Sequence, residues 1–265
     1  MKFLSLVFNY DFDKMINSGR IWAKSGYNDA DYIFEYSAAS IATVLHHNPD
    51  IEYEIWTDSP ELLRSKIEKY NVPLDKLFIL NKTKEISQFS VHPYCFWPAV
   101  KIVDEYMNEQ SDVIKLDNDL TCLKPCHELF THDGALVWKF ERICSAGRDY
   151  WGESYAAKQA YGTADFPIYN IGVFAISKNY HQLAKTIPVL CEDMLNVDIS
   201  KIVRFTEDPN IKVKMWSCSE QTADSYFLWK NNIPVKETYE WFNHHCYSKS
   251  KQGCIDAAKF LLKSQ

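Results

Sequence analysis

The first half of the chain alternates short apolar runs with longer segments of helical pattern, and this alternation limits the possible folds more than any other feature. Strands are predicted where the apolar runs lie, at residues 3–8, 52–57, 77–80 and 113–116. Helices are predicted between them, at residues 36–46, from Pro60 onward and at residues 98–107. Strands that are joined through helices pair in parallel. The pattern therefore predicts an α/β fold with a mostly parallel central sheet flanked by helices.

The second half is less regular, but no linker, repeat or low-complexity tract divides the chain. Further strands are predicted at residues 135–140, 168–176 and 212–216, and helices at residues 180–195 and 221–229. A chain of 265 residues is long enough to bury one large core. We expect a single domain over residues 1–265, with two halves that meet near residue 120.

Composition and charge exclude several classes of protein. Hydrophobic residues make up 46% and charged residues 24% of the chain, as in folded globular proteins. The net charge is −6 and no long basic run is present, so we expect no nucleic-acid partner. The apolar run near the N-terminus is too short for a signal peptide, and no stretch has the apolar length of a transmembrane helix. A soluble, cytoplasmic protein is expected.

The chain has eight cysteines, and none of them forms a C-x-x-C pair. Free, buried thiols in a reducing compartment are therefore expected. Cys122 and Cys126 are four residues apart, which leaves a zinc site as the alternative.

An acidic motif, Asp117-Asn118-Asp119, follows directly after the predicted strand at residues 113–116. Ligands of parallel sheets bind beyond the carboxyl ends of the strands, which is where this motif lies. In an extended backbone, residues two apart share a face, so both carboxylates can point into one space. Two adjacent carboxylates repel each other unless a cation lies between them. The motif therefore predicts a site for Mg²⁺ or Mn²⁺, which prefer oxygen ligands.

The surroundings of this motif resemble a known family. Residues 114–130 (IKLDNDLTCLKPCHELF) are similar to the D-x-D segment of GT-A glycosyltransferases, especially family 8, which contains glycogenin and lipopolysaccharide galactosyltransferases. Three later pieces occur in the family's order. They are Asn170-Ile171-Gly172-Val173, Glu220-Gln221, and His245 with Lys251 six residues later.

This resemblance implies a Rossmann-like GT-A fold, with residues 1–120 as the nucleotide-binding half and residues 121–265 as the half for the donor sugar and the acceptor. It also implies a metal-dependent hexosyl- or pentosyltransferase. The expected donor is a nucleotide diphosphate sugar, with UDP as the leading nucleotide, and the expected acceptor is a glycan or another hydroxyl compound. The expected cofactor is Mn²⁺ or Mg²⁺.

The resemblance also assigns a metal site and a diphosphate site. Asp119 is the expected direct metal ligand, and Asp117 is expected to bridge the metal and the donor ribose. His245 is the expected third ligand, with the adjacent His244 as the alternative. Lys251 is expected to hold the diphosphate as a compact positive charge.

Other residues are expected to bind the rest of the donor. Asn9, Tyr10 and Asp58 follow the first two strands and are expected to contact the base and ribose. Asp58 is equally suited to cap the following helix. Lys101 corresponds to a position that is often basic in the family. Asn118, between the two aspartates, is a further donor-binding candidate.

Four residues are expected around the donor sugar. Asn170 and Gly172 are expected to shape its pocket, since glycine permits close approach of a backbone to a ligand. Glu220 and Gln221 are the candidate catalytic residues. An inverting enzyme needs a general base, for which Glu220 is a candidate, whereas Gln221 matches the position that faces the sugar in retaining members of the family. The stereochemistry stays open.

Two other functions are compatible with the acidic motif. A metal-dependent sugar nucleotidyltransferase also has acidic residues after parallel strands, but it usually has a glycine-rich loop after the first strand. Residues 9–14 (NYDFDK) contain no glycine. A non-catalytic sugar- or nucleotide-binding protein of the same fold is the second alternative.

Overall fold

A mixed sheet of seven strands forms the centre of the protein, and a separate pair of short strands lies beside the acidic motif. The computed structural model describes residues 1–8, 30–87, 96–109, 112–144, 153–198, 219–245 and 251–263. Its strands are β1 Lys2–Val7, β2 Glu52–Thr57, β3 Leu77–Asn81, β4 Val113–Leu116, β5 Leu120–Cys122, β6 Ala135–Cys144, β7 Phe166–Ile176, β8 Val235–Glu237 and β9 Phe242–His244.

The strands of the large sheet have the order β3-β2-β1-β4-β7-β6-β8. The first four of these strands pair in parallel, β7 runs antiparallel to β4 and β6, and β8 is parallel to β6. The predicted α/β fold with a mostly parallel sheet is confirmed. Because β1 to β4 are parallel, the residues that follow them all lie at one edge of the sheet.

Helices cover both faces of this sheet. Their bounds are α1 Ala30–His47, α2 Pro60–Ile67, α3 Thr83–Ser87, α4 Phe96–Glu109, α5 Glu153–Tyr161, α6 His181–Ala184, α7 Ile187–Leu195, α8 Ser219–Lys230 and α9 Gln252–Leu262. Side chains of β4 alternate between the two cores. Ile114 and Leu116 pack with α1 and α2, whereas Val113 packs with α4, α7 and α8. The strand before the acidic motif is thus buried on both faces, as its apolar sequence predicts.

Some elements differ from the prediction. The single helix predicted at residues 180–195 is wrong, because α6 ends at Ala184 and α7 begins at Ile187. Pro188 explains the break, since it lacks an N–H and its ring clashes with the carbonyl of the preceding turn. The strand predicted at residues 135–140 continues to Cys144. The three-residue strands β5, β8 and β9 were not predicted, and the strand predicted at residues 212–216 lies outside the described residues.

The expectation of free, buried thiols can be compared with the described residues. Five cysteines there are buried free thiols. The sulfur atoms of Cys122 and Cys126 lie 3.7 Å apart. Within the described ranges, the three-residue group able to hold a metal lies at the acidic motif and includes neither cysteine. None of the helices in those ranges is long and apolar enough to cross a membrane.

Candidate functional site

The acidic motif is fixed by strands from distant parts of the chain. β4 ends at Leu116, and the next backbone N–H, that of Asp117, donates a hydrogen bond of 2.7 Å to the carbonyl of Gly172 on β7. β5 then pairs antiparallel with β9, with Leu120 opposite His244. This pairing brings a histidine beside Asp119 although the two residues are 125 positions apart in sequence.

Asp117, Asp119 and His244 form a group that can hold a metal ion. Each offers one ligand atom, and these atoms all lie within 4.8 Å of one another. His244 Nε2 is 2.9 Å from Asp119 Oδ1 and 3.6 Å from Asp117 Oδ2. Neighbouring ligands of a six-coordinate ion with bonds of about 2.1 Å lie about 3 Å apart. The observed spacing is therefore close to that of a formed coordination site.

The orientation of the His244 ring is set by Asn170. The Asn170 Oδ1 atom accepts a hydrogen bond of 2.9 Å from the backbone N–H of Gly172, so the same oxygen must also accept from His244 Nδ1, which is 3.0 Å away. With the Nδ1 proton directed at Asn170, Nε2 is the ring nitrogen that faces the aspartates. Such outer partners fix the tautomer of metal-binding histidines. Asn170 thus shapes the site through His244.

The absence of a side chain at Gly172 makes room for the same ring. A Cβ atom built at Gly172 overlaps the imidazole of His244. The glycine is therefore explained by close packing against His244, in addition to any contact with a donor sugar.

Gly172→Ala tests this packing. We expect a loss of about 1–3 kcal/mol in the free energy of unfolding, because the added methyl group displaces the ring. In a His244→Ala background the same substitution is expected to cost much less, since the ring is gone. Urea unfolding of both single variants and the double variant measures the coupling. Equal costs of Gly172→Ala in both backgrounds would contradict this explanation.

His245 has a different environment from its neighbour. Its ring Nε2 lies 2.8 Å from the hydroxyl of Thr121, and its backbone N–H donates to the Asp119 carbonyl over 3.0 Å. Burial lowers the pKa of His245, although the charge of Asp119 acts in the opposite direction. In the described residues it is His244, the alternative, whose ring joins the aspartates. The reason is that His244 is the last residue of β9 and pairs with Leu120, next to Asp119, whereas His245 lies beyond the strand.

Lys251, the residue expected to hold the diphosphate, lies beside Asp119. Its ammonium group donates to Asp119 Oδ2 and, over 3.2 Å, to the carbonyl of His245. Burial of the Asp119 carboxyl raises its pKa, but His244 and Lys251 outweigh burial and hold the pKa far below its usual range. Asp119 is therefore an ionised, buried carboxylate with a cationic partner, ready to bind another cation.

Glu141, which the sequence reasoning missed, connects two of the predicted residues. Its Oε1 accepts from Asn170 Nδ2 over 2.9 Å, and its Oε2 accepts from Gln221 over 3.2 Å and from Arg142 over 2.7 Å. The register of β6 against β7 shifts between Phe140 and Arg142. Such bulges redirect side chains next to functional sites. Strand alternation alone could not have identified Glu141.

The other candidate catalytic residue, Glu220, is held in a buried ion pair. Its Oε1 accepts a hydrogen bond of 3.2 Å from Lys115, whose ammonium is also 3.4 Å from Asp117 Oδ1. Glu220 thus lies on the same side of the site as Asp117, but its carboxylate already has a cationic partner.

The remaining candidates have separate environments. Asp58 follows β2, two strands from β4, so it is about 10 Å away along the same sheet edge. It does not cap α2, whose N-cap residue is Ser59. Lys101 pairs with Asp104 on its own helix at 3.0 Å. The buried Nδ2 of Asn118 has no hydrogen-bond partner among the described residues. Asn9 and Tyr10 lie outside the described residues.

Comparison with known proteins identifies the fold. No model of a known protein family matches the chain, and no curated protein matches it. Among solved structures, the galactosyltransferase LgtC with donor and acceptor sugar analogues matches with a TM-score of 0.50 at 10% identity, over 98% of this chain and 96% of that chain. An active-site mutant of LgtC matches with a TM-score of 0.53 at 12% identity, over 98% of this chain and 96% of that chain.

A third match comes from mouse. Apo xyloside xylosyltransferase 1 has a TM-score of 0.50 at 9% identity, over 90% of this chain and 85% of that chain. At such identities the likeness is one of fold. The chain therefore has the GT-A fold of glycosyltransferases, as predicted, and its Asp117-Asn118-Asp119 segment fits the D-x-D motif of that fold.

Proposed function

We propose that this protein is a metal-dependent glycosyltransferase that moves a sugar from a nucleotide diphosphate donor, with UDP as the nucleotide, to a hydroxyl of a glycan or a similar acceptor. The observation that carries the proposal is the convergence of Asp117, Asp119 and His244 at the carboxyl edge of the parallel strands in a GT-A fold. The solved structures of the same fold are of glycosyltransferases, which supports the same reaction class.

The donor atoms at this site fit Mn²⁺ or Mg²⁺. Two carboxylate oxygens and one imidazole nitrogen form a ligand set that suits Mn²⁺, which accepts both oxygen and imidazole. The 2.9 Å between His244 Nε2 and Asp119 Oδ1 requires a proton between these atoms, and a cation would take its place. A metal bound here offsets the charge that develops on a departing diphosphate.

Lys251 is proposed to bind the diphosphate. Its side chain is about one-fifth exposed, and its ammonium group contacts Asp119. A bound metal ion would be attracted by the same carboxylate and would weaken this contact. The Lys251 ammonium group could then donate to a phosphate oxygen of the donor.

The donor nucleotide and sugar are proposed to lie on either side of the aspartates. Asn9, Tyr10 and Asp58 are proposed to contact the base and ribose, and Asn118 offers an unpartnered buried amide for a donor oxygen. On the other side, Gln221 and Asn170 are both held by Glu141 and are proposed to face the sugar. Glu141 thereby adds a carboxylate to the sugar side of the site.

The test is incubation of the purified protein with a panel of sugar nucleotides, with Mn²⁺ or with EDTA. We expect Mn²⁺-dependent release of nucleoside diphosphate, because a transferase breaks the bond between the sugar and the diphosphate. Chromatography of the nucleotide products measures it. Activity at least about 100-fold lower in EDTA is expected, since metal stabilisation of several kcal/mol is lost.

Other products would contradict the proposal. Release of pyrophosphate would indicate a nucleotidyltransferase. Binding of a sugar nucleotide without any product, with or without candidate glycan acceptors, would indicate a non-catalytic binding protein. Equal activity in EDTA would contradict the metal requirement.

A further inference from the structure

Lys115 is a buried cation in the centre of the sheet. It lies on β4 between two neighbouring strands, opposite Leu4 of β1 and Phe174 of β7, and is 5% exposed. Burying a lysine is costly unless its ammonium group is paired with carboxylates. The partners of Lys115 therefore explain why a lysine interrupts an otherwise apolar strand.

The partners are two carboxylates from different elements. Glu220, in the first turn of α8, accepts from Lys115 over 3.2 Å, and Asp117 Oδ1 lies 3.4 Å away. A third carboxyl, that of Asp224, lies one helical turn beyond Glu220 and is 2% exposed. Burial and then the charge of Glu220 raise the pKa of Asp224 well above its ordinary value. The ion-pair partners of Lys115 are therefore Glu220 and Asp117.

The two carboxylate oxygens of Asp117 face different partners. Oδ1 faces the Lys115 ammonium, and Oδ2 faces His244 Nε2 at 3.6 Å. The terminal torsion of an aspartate is broad, so a carboxylate without partners samples many orientations. The side chain of Asp117 is 37% exposed. The cation on Oδ1 therefore selects the orientation in which Oδ2 points at Asp119 and His244.

We propose that Lys115 is a positioning residue for Asp117, and that Glu220 holds Lys115 in place rather than accepting a proton from the acceptor. The inference rests on the proposed metal-dependent transfer. Glu220 is poorly placed as a general base, because its side chain is only 13% exposed and its Oε1 is bound to an ammonium group. Glu220 therefore affects the metal site indirectly, because it holds Lys115 and Lys115 orients the Asp117 carboxylate.

The decisive variant is Lys115→Met with Glu220→Gln. Lys115→Met alone leaves two carboxylates without their cation and is expected to be unstable. The double variant removes both members of the buried pair, which is often neutral for stability. If Lys115 served only to neutralise Glu220, the double variant would keep every property of the wild type.

A matched control exists in the neighbouring strand. Lys2 of β1 is 8% exposed and, like Lys115, pairs with two carboxylates, those of Glu105 at 2.8 Å and Glu54 at 3.2 Å. It lies opposite Val113, at the beginning of β4 and away from the carboxyl edge of the sheet. Lys2→Met with Glu105→Gln therefore removes a comparable buried pair far from the aspartates.

Mn²⁺ affinity, measured by titration calorimetry on the full chain, is the main readout, and thermal unfolding verifies folding. We expect the Lys115→Met/Glu220→Gln variant to bind Mn²⁺ about 10-fold or more weakly, as is usual when an outer partner of a ligand is lost. The control is expected to stay within about 2-fold of the wild type, because its pair does not contact the site. Glu220→Gln alone keeps an acceptor for Lys115, so its kcat is expected to fall by less than about 10-fold.

Three outcomes would overturn the inference in distinguishable ways. Wild-type Mn²⁺ affinity in the folded double variant would refute the role of Lys115 and leave the proposed function intact. A loss of about 100-fold or more in kcat of Glu220→Gln at unchanged Mn²⁺ affinity would identify Glu220 as the general base instead. A wild-type protein that binds no divalent cation would overturn both the inference and the proposed metal dependence.

Discussion

Asp119→Asn is expected to abolish metal-dependent sugar transfer while the protein remains folded. The substitution keeps the size of the side chain but removes the charge that attracts the cation, and Asp119 is the buried, ionised member of the metal group. Loss of about 3 kcal/mol or more of metal stabilisation corresponds to a decrease of at least about 100-fold in kcat/KM. Initial rates of nucleoside diphosphate release over a range of Mn²⁺ concentrations measure the effect.

A second aspartate–histidine pair provides the control for this prediction. Asp50 lies 2.9 Å from His127 on the surface. Asp50→Asn therefore alters a similar contact away from the acidic motif. Its rates of nucleoside diphosphate release are expected to equal those of the wild type. Asp119→Asn with wild-type rates and wild-type Mn²⁺ dependence would show that the metal, if any, binds elsewhere.

His244→Gln and His245→Gln are expected to differ sharply in Mn²⁺ affinity. His244 offers its Nε2 atom to the same space as the aspartates, whereas the ring of His245 contacts Thr121. Loss of a direct ligand is expected to weaken Mn²⁺ binding at least as much as loss of an outer partner does, about 10- to 100-fold. The Mn²⁺ affinity of His245→Gln is expected to stay within about 3-fold of the wild type. Titration calorimetry measures the affinity of both variants.

Proton release distinguishes the two histidines independently of affinity. Because a cation replaces the proton between His244 and Asp119, Mn²⁺ binding to the wild type is expected to release a proton. Titrations in buffers of different ionisation enthalpy detect this release, which is expected to be lost in His244→Gln and kept in His245→Gln. The reverse pattern would restore His245 as the ligand, as its spacing from Lys251 suggests.

The sequence by itself determined the framework of this protein. Apolar runs of β-rich composition identified β2 and β4 at their observed bounds, because strands buried on both faces have a strong local signature. The position of Asp117 and Asp119 after β4 predicted a paired acidic site at the sheet edge, since residues two apart in an extended chain share a face. Lys251, which the sequence singled out as a diphosphate ligand, contacts Asp119. The catalytic and donor-binding roles of these residues stay predictions.

Only the tertiary structure decided which side chains complete the site. The pairing of β5 with β9 brought the ring of His244 beside Asp119, and the register shift in β6 lies next to Glu141, which contacts Asn170 and Gln221. These contacts join residues far apart in the chain, and a shift of one residue in register moves a side chain to the other face. Local sequence fixes what a strand is and where it lies, but the register between distant strands depends on the packing of the whole core. The two aspartates could therefore be identified from the sequence, whereas the contacts that His244 and Lys115 make with them could not.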